Sequence, residues 1–244
     1  MSLPRPLHAL TAAALVAAAA LGPAHLASAE TGQELPSSDQ LKSALLTVDD
    51  LGPAYTAASA SASASPSPSG NPTPVTGCAA LSTLIGTHAT MPGSSNPHAS
   101  TELDGAAGNP MVTQSLGAED QAKLADDFKL LADAFKTCHT VTFSAGTNAT
   151  ATFTVTPITL GDRPDAPAVR LDGTIDGVQL NAYLGVERFG TVGMIYGFFQ
   201  RQSSDTQTAA IQYRTAVAKV ERLLGAPAGS TTPPRATVTR GRSA

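Results

Sequence analysis

The chain has 244 residues, of which 19 are acidic and 15 are basic, giving a formal net charge of −4 at neutral pH. Nucleic-acid binding requires a basic surface. Three of the arginines (Arg235, Arg240 and Arg242) lie at the very end of the chain, so we expect no nucleic-acid partner.

The N-terminus has the pattern of a secretory signal peptide. Arg5 precedes an apolar run over residues 9–21, and Ala27-Ser28-Ala29 forms a small-residue cleavage site. A transmembrane anchor needs about 20 apolar residues in a row, and Pro23 interrupts the run too early. We therefore predict a signal peptide over residues 1–29, a secreted or extracytoplasmic mature chain, and no membrane span after cleavage.

The segment after the signal peptide contains one predicted helix and one low-complexity insert. We predict that residues 30–37 form a solvent-exposed leader. Residues 37–55 predict a short helix, which ends at Gly52-Pro53. Residues 57–74 consist mostly of Ala, Ser, Pro and Gly and offer little to bury. We interpret this tract as a flexible loop inserted into a domain.

The sequence VTGC at residues 75–78 allows a lipid attachment site or one half of a disulfide. A lipid attachment site directly follows the apolar run of a signal peptide, whereas Cys78 lies far beyond it. Two cysteines in an exported chain most simply pair with each other. We therefore predict a Cys78–Cys138 disulfide. A metal pair is the weaker alternative, because His139 is the only neighbouring ligand.

The middle of the chain contains the clearest helix. Residues 78–86 predict one or two helical turns, residues 87–110 a loop, and residues 111–116 a short strand. Residues 118–138 predict a helix, because apolar residues recur every three or four positions. This stripe consists of Leu124, Phe128, Leu131, Phe135 and Cys138.

Beyond Cys138 the apolar period changes to two, which is typical of strands. Strands are predicted over 150–156, 168–175, 178–187 and 192–200, and Asp176-Gly177 marks a tight hairpin. An amphipathic helix over residues 205–225 follows, with Asp205 as its N-cap. Residues 225–244 are predicted to be a disordered tail.

These elements predict one α+β domain over residues 38–224, with an antiparallel sheet of about five or six strands packed against helices. The chain also resembles a known family. The sequences LLTVDDLGPAY (45–55), GCAAL (77–81), AFKTC (134–138), VERFGT (186–191) and AVAKV (216–220) are similar to the PknH-like extracellular sensor domains of actinobacterial kinases, secreted proteins and lipoproteins.

The resemblance implies a twisted antiparallel sheet with a cleft for an unidentified ligand. The family domain carries two disulfides, whereas this chain can form only one. The sequence contains no kinase domain, so the resemblance implies signalling through a separate protein.

Catalysis finds little support in the sequence. No G-x-S-x-G or comparable nucleophile motif occurs, and His88 and His98 lie in the predicted loop. Metal binding by these histidines with Glu102 and Asp104 is weaker than the ordinary interpretation of solvated loop residues. We therefore expect a non-enzymatic protein with no metal and no cofactor.

The predicted ligand site is the polar face of strand 178–187. In a period-two strand, Val178, Leu180, Ala182, Leu184 and Val186 share one face, and Gln179, Asn181, Tyr183 and Glu187 share the other. Arg170 and Tyr196 on neighbouring strands extend the second face. The alternative is a plain solvent-facing side of the sheet. Tyr183 is predicted to be exposed there.

Two function classes remain. The first is an extracytoplasmic binding or sensor module for a small or envelope-derived ligand. The second is a carrier of apolar or lipid molecules held between the sheet and its helices. A large apolar cavity would favour the carrier, and a shallow polar cleft would favour the sensor.

Overall fold

The computed structural model describes residues 35–58, 75–79, 96–144, 150–175, 177–232 and 234. The predicted signal peptide, most of the insert at 57–74 and His88 lie outside these residues. The elements bounded within them are four helices, a short 3-10 helix and nine strands. The predicted α+β class is therefore confirmed.

The nine strands form one antiparallel sheet. They are β1 (Thr56–Ala57), β2 (Val75–Thr76), β3 (His98–Asp104), β4 (Met111–Ala118), β5 (Thr140–Ser144), β6 (Thr150–Pro157), β7 (Ala168–Ile175), β8 (Val178–Phe189) and β9 (Val192–Arg201). Their order across the sheet is β1-β3-β4-β9-β8-β7-β6-β5-β2, and each neighbouring pair runs antiparallel.

The predicted count of about five or six strands is too low. The sequence predicts a loop over residues 87–110, yet β3 and the 3-10 helix Ala106–Gly108 lie there. Strand β3 is mostly polar, with Leu103 as its only buried side chain, so it lacks the apolar alternation that marks a half-buried strand. Strands β1 and β2 have two residues each, which is too short for any periodicity.

The helices are α1 (Ser38–Ser43), α2 (Val48–Leu51), α3 (Gln121–Thr137) and α4 (Thr206–Leu224). Asp120 caps α3 by accepting hydrogen bonds from the backbone N–H groups of Ala122 and Lys123, and Asp205 caps α4. Helix α4 ends at Gly225, which has a left-handed φ of 68°. Both long helices are therefore confirmed within a few residues.

The single helix predicted over 37–55 is two helices. The backbone N–H of Leu46 donates to Gln114 Oε1 on β4, with an N···O distance of 2.6 Å. This bond takes the chain out of helical geometry, and Thr47 then begins α2 with a capping box. A contact between residues 68 positions apart decides the boundary, so local sequence could not reveal it.

One side of the sheet, which we call the α4 face, packs against α4 and α1. Tyr183, Phe189, Tyr196 and Phe198 point from β8 and β9 into a core closed by Tyr213 of α4. The opposite side, the α3 face, packs against α3. The helix covers β6, β7 and β8 with Phe135, Leu131 and Phe128.

The disulfide between Cys78 and Cys138 is present, with a Cα–Cα distance of 5.3 Å. Cys138 is the C-cap of α3, and Cys78 packs beside Ala134 of the same helix. Because β2 pairs with β5 next to this point, the disulfide joins the C-terminal end of α3 to one edge of the sheet. None of the helices in the described ranges is long and apolar enough to span a membrane.

The predicted disorder of residues 225–244 is wrong for the beginning of that segment. Ala226 is buried, and Gly190 N donates to Ser230 O at 2.8 Å while Gly229 N donates to Arg188 O at 2.7 Å. The chain after α4 therefore pairs with the turn between β8 and β9. This pairing has no pattern in the local sequence, which is rich in Ala, Gly and Pro.

Candidate functional site

The structure does not expose the predicted polar face of β8. Asn181, Tyr183, Glu187 and Tyr196 are each no more than 1% exposed. They do share one face with Arg170 and Gln179, as the period-two pattern predicted. That face is the α4 face. The prediction that these residues share one face is correct, whereas the prediction that this face is open to solvent is wrong.

Tyr183 belongs to the core. Its ring contacts Phe198 edge-on, with a centroid distance of 6.0 Å, and Thr206 Oγ1 at the start of α4 donates to its hydroxyl at 3.0 Å. The prediction that Tyr183 is exposed is wrong, because the apolar stripe of α4 packs against this face of the sheet. With two amphipathic helices, both sides of the sheet are covered.

The other buried members of the set are held by internal partners. Arg163 contributes Nη1 to Glu187 Oε1 at 3.3 Å, and Arg188 N donates to the same oxygen at 3.0 Å. Burial raises the pKa of Glu187. Asn181 Nδ2 donates to Ser203 O at 2.6 Å. These contacts fix loops and helices to the sheet.

Two predicted site residues reach the surface. Gln179 is exposed, and Arg170 forms a half-exposed ion pair with Asp172, with an N···O distance of 2.7 Å. The Arg170 guanidinium also lies 5.8 Å from the centre of the Tyr183 ring. Two surface residues do not make a pocket, and the other four members of the set are buried, so the predicted site is not assembled here.

His98 lies on β3, exposed, with Nδ1 at 3.2 Å from Asn96 O. No group of three or more His, Cys, Asp or Glu side chains among the described residues is arranged to hold a metal ion.

A different concave site lies on the α3 face. We call it the α3 cleft; it is lined by Ser115, Gly117, Leu124, Asp127, Phe128, Leu131, Val186, Gly193, Met194 and Ile195. Its walls are mostly apolar and Asp127 is its only ionisable lining residue. The cavity volume is about 20 Å³, which is room for about one water molecule.

Small residues on the sheet create the floor of the α3 cleft. Gly117 of β4 pairs directly with Gly193 of β9, and Ser115 pairs with Ile195. At Gly193 the missing Cβ would lie 3.0 Å from Leu124 Cδ1. The N-terminal half of α3 therefore lies over backbone, where a larger side chain on either strand would fill the space.

Asp127 belongs to a group of three charged side chains at the N-terminal end of α3, of which it alone lines the cleft. Lys123 Nζ lies 2.6 Å from Asp127 Oδ2 and 3.5 Å from Glu119 Oε1. The spacing of four residues places Lys123 and Asp127 on one face of α3, whereas Glu119 precedes the N-cap Asp120. We call this set the acid–lysine cluster (Glu119, Lys123 and Asp127). It holds two carboxylates for one ammonium.

Glu119 is the unusual member of the cluster. It is 3% exposed, and neither carboxyl oxygen accepts a hydrogen bond from the residues that the structure describes. Burial raises its pKa to about 7, although the Lys123 ammonium opposes this shift.

The sequence analysis missed this cluster. Asp127 belongs to an Asp126-Asp127 pair within α3. Asp126 is exposed, but Asp127 is buried. The available signal was the position of Asp127 between Leu124 and Leu131, which places its carboxylate on the apolar stripe.

Comparison of the sequence with protein-family models finds no match, and comparison with curated proteins finds none either. The resemblance to PknH-like sensor domains thus stays a prediction from the motifs quoted above.

Proposed function

We propose that the protein is a non-enzymatic binding module of the cell exterior and that its ligand lies in the α3 cleft. Ligand sites in proteins are typically apolar concavities with a few polar groups that fix orientation. The α3 cleft has this composition, with apolar walls from α3, β8 and β9 and Asp127 as the orienting group. This combination is the observation that carries the proposal.

The location outside the cytoplasm is supported by two features. The first is the signal-peptide pattern over residues 1–29. The second is the Cys78–Cys138 disulfide, because disulfides persist mainly in oxidising compartments. The motifs shared with PknH-like sensor domains agree with a ligand-binding role, and signalling would then require a separate protein.

The alternative proposal is a carrier of apolar or lipid molecules. The apolar lining of the cleft favours it, whereas a volume of about 20 Å³ is far too small for a lipid chain. Either function requires the cleft to widen. Phe128 is half-buried at its wall, so its ring supplies much of the apolar contact that a ligand in the widened cleft would make.

Native mass spectrometry of the protein purified from its own host tests the proposal. We expect a bound mass that Phe128→Ala removes and Leu130→Ala retains. Leu130 is the matched control because it lies on the same helix and is 37% exposed. Equal retention by both variants would contradict the α3 cleft as the site, and the chemistry of the bound molecule would separate a carrier from a sensor.

A further inference from the structure

We propose that the outer surface of the N-terminal half of α3 is a docking surface for an arginine-rich segment of this same chain, residues 235–244. This segment, which we call the arginine tail, lies outside the described residues. Its sequence is RATVTRGRSA, with three arginines (Arg235, Arg240 and Arg242) and no acidic residue. The docking does not depend on the proposed function, because it concerns the outer surface of α3 and not the α3 cleft.

The chain after α4 delivers the arginine tail to this end of α3. Gly190 N in the turn between β8 and β9 donates to Ser230 O at 2.8 Å. The next residue of the same turn, Thr191, accepts a hydrogen bond from Glu119 N, also at 2.8 Å. Ser230 and Glu119 are therefore bonded to adjacent residues of one turn, and Glu119 comes directly before the N-cap of α3.

The length of the arginine tail matches the surface. An extended chain spans at most about 3.3–3.6 Å per residue, so Arg235 can lie up to about 17 Å from Ser230. Asp120 and Asp126 are about 9 Å apart along α3, at about 1.5 Å per residue. Arg235 can thus lie beside Asp120 while Arg240 lies beside Asp126.

This end of α3 carries more negative than positive charge. Its four carboxylates, which we call the acidic surface, belong to Glu119, Asp120, Asp126 and Asp127. Lys123 pairs with two of them. Arg188 of β8, which pairs with Gly193 beneath the helix, is the charged residue of the adjacent strand segment. Four carboxylates against these two cations leave two negative charges in excess, or one while Glu119 holds its proton.

Asp126 is the most accessible carboxylate of the acidic surface. It is exposed, and none of the ion pairs among the described residues includes it. It follows Lys123 by three residues, so the two side chains adjoin on the helix surface. A guanidinium from outside the helix can therefore pair with Asp126 and leave Lys123 in place beside Asp127.

The other acidic side chains near the end of α4 are engaged. Asp165 pairs with Arg163 at 2.5 Å, and Asp162 lies 3.9 Å from Arg214 Nη1. Glu221 accepts a hydrogen bond at 2.7 Å from the backbone of the segment that follows α4. The acidic surface is thus the neighbouring region in which carboxylates outnumber cations, and the arginine tail is the cationic segment closest to it along the chain.

A nitroxide on the arginine tail tests the docking. Cys78 and Cys138 form the disulfide, so Ser243→Cys in the full chain provides a single thiol for the label. In amide NMR spectra at roughly 0.01 M ionic strength, where the Debye length is about 30 Å, we expect the label to broaden the signals of Lys123 and Asp126. Lys136 should be broadened less, because it lies about 15 Å farther along α3. Salt at about 1 M should remove the effect, since the Debye length is then about 3 Å.

Two matched pairs of variants separate charge from mere proximity. Replacing the three arginines of the tail together by Gln should abolish the broadening. Arg222→Gln, which removes an exposed arginine of α4, should preserve it. Asp126→Asn should weaken the broadening at low salt, whereas Asp133→Asn should not, because Asp133 pairs with Lys129 in the other half of α3. Asp126 is exposed, so its replacement leaves the packing of the helix intact.

Three results would overturn the proposal. Absence of broadening along α3 at low salt would show that the arginine tail does not dock there. Stronger broadening at Asp162 and Asp165 than at Asp126 would assign the tail to the loop between β6 and β7. Equal broadening when the nitroxide and the isotope label are on different molecules would make a second copy of the chain the source of the docked tail.

Discussion

The two faces of the sheet differ in how completely side chains fill the space beneath their helices. All four tyrosines of the chain pack on the α4 face, where Tyr196 and Tyr213 meet edge-on with a centroid distance of 5.6 Å. The α3 face has glycines and a serine beneath the N-terminal half of its helix. One face is filled by large side chains, and the other leaves a cleft.

Gln212 on the α4 face and Glu119 on the α3 face are both buried, but they differ in their hydrogen-bond partners. On the α4 face, Gln212 joins two hydroxyls: its Nε2 donates to Tyr55 Oη at 2.7 Å, and its Oε1 accepts from Tyr196 at 3.3 Å. On the α3 face, Glu119 is equally buried and has no such donor. The contrast holds for these two residues and not for the whole faces, because Asn181 Oδ1 and Gln200 Oε1 on the α4 face also lack hydrogen-bond partners among the described residues.

The largest expected effect lies on the α4 face. Tyr183→Ala should lower the free energy of unfolding by about 3–5 kcal/mol, because it removes a fully buried ring. Phe128→Ala on the α3 face should cost clearly less, since Phe128 is half-buried. Urea denaturation of both variants checks the comparison. Equal losses would show that the α3 face is as tightly packed as the α4 face.

The next effect concerns the disulfide that anchors α3. Replacing Cys78 and Cys138 together by Ala should cost about 4 kcal/mol, because the disulfide closes a loop of 60 residues. The loss should be concentrated on the α3 face. Hydrogen exchange would then show faster exchange in α3 than in α4. Uniformly faster exchange in both helices would contradict this local role.

A smaller effect concerns the pH dependence that Glu119 creates. Its pKa in the folded protein is about 7, above the ordinary value of about 4.3 in an unfolded chain. The folded state therefore binds more protons between these values, and stability falls as pH rises from about 4.3 to about 7. Burial raises the pKa of Glu187 as well, which adds a slope of the same sign.

Glu119→Gln should remove part of this slope and stabilise the protein at pH 8 by roughly 1–3 kcal/mol. Thermal unfolding between pH 4 and pH 8 measures both quantities. Asp133→Asn is the control, since its exposed partner Lys129 makes a surface pair of small value. An unchanged slope in Glu119→Gln would mean that Glu119 is ionised throughout this range.

The parts of the fold that local sequence determines were predictable. Helices α3 and α4, with Asp205 and Gly225 at the ends of α4, follow from apolar spacing and capping residues. The tight turns of the sheet follow from glycines with positive φ, 78° at Gly177 and 66° at Gly190. The disulfide followed from having two cysteines in a chain predicted to be exported.

The candidate site was not predictable in the same way. The alternation in β8 correctly grouped Asn181, Tyr183 and Glu187, but alternation does not say which face a distant helix covers. The better signal was in β9, where Ile195 and Phe199 point to one side and Tyr196 and Phe198 to the other. Large side chains on both sides of a strand indicate a sheet buried on both faces.

The smallest expected effect compares two glycines on adjacent strands and opposite faces. A Cβ at Gly185 would lie 2.5 Å from Cε2 of the Tyr213 ring, which is 2% exposed and held by surrounding core. A Cβ at Gly193 would lie 3.0 Å from the end of the Leu124 side chain, which borders the open α3 cleft. Overpacking a fixed ring typically costs about 1–3 kcal/mol.

We therefore expect Gly185→Ala to destabilise the protein by about 1–3 kcal/mol. Gly193→Ala should change stability by less than about 1 kcal/mol, because Leu124 can move into the cleft and the loss of chain flexibility in the unfolded state compensates. The methyl group and the displaced Leu124 would nevertheless occupy the floor of the cleft. Gly193→Ala should thus lose ligand binding with its melting temperature nearly unchanged. The reverse pattern, a large loss of stability at Gly193 and none at Gly185, would mean that the α3 cleft is a packed part of the core and that the two faces do not differ as argued.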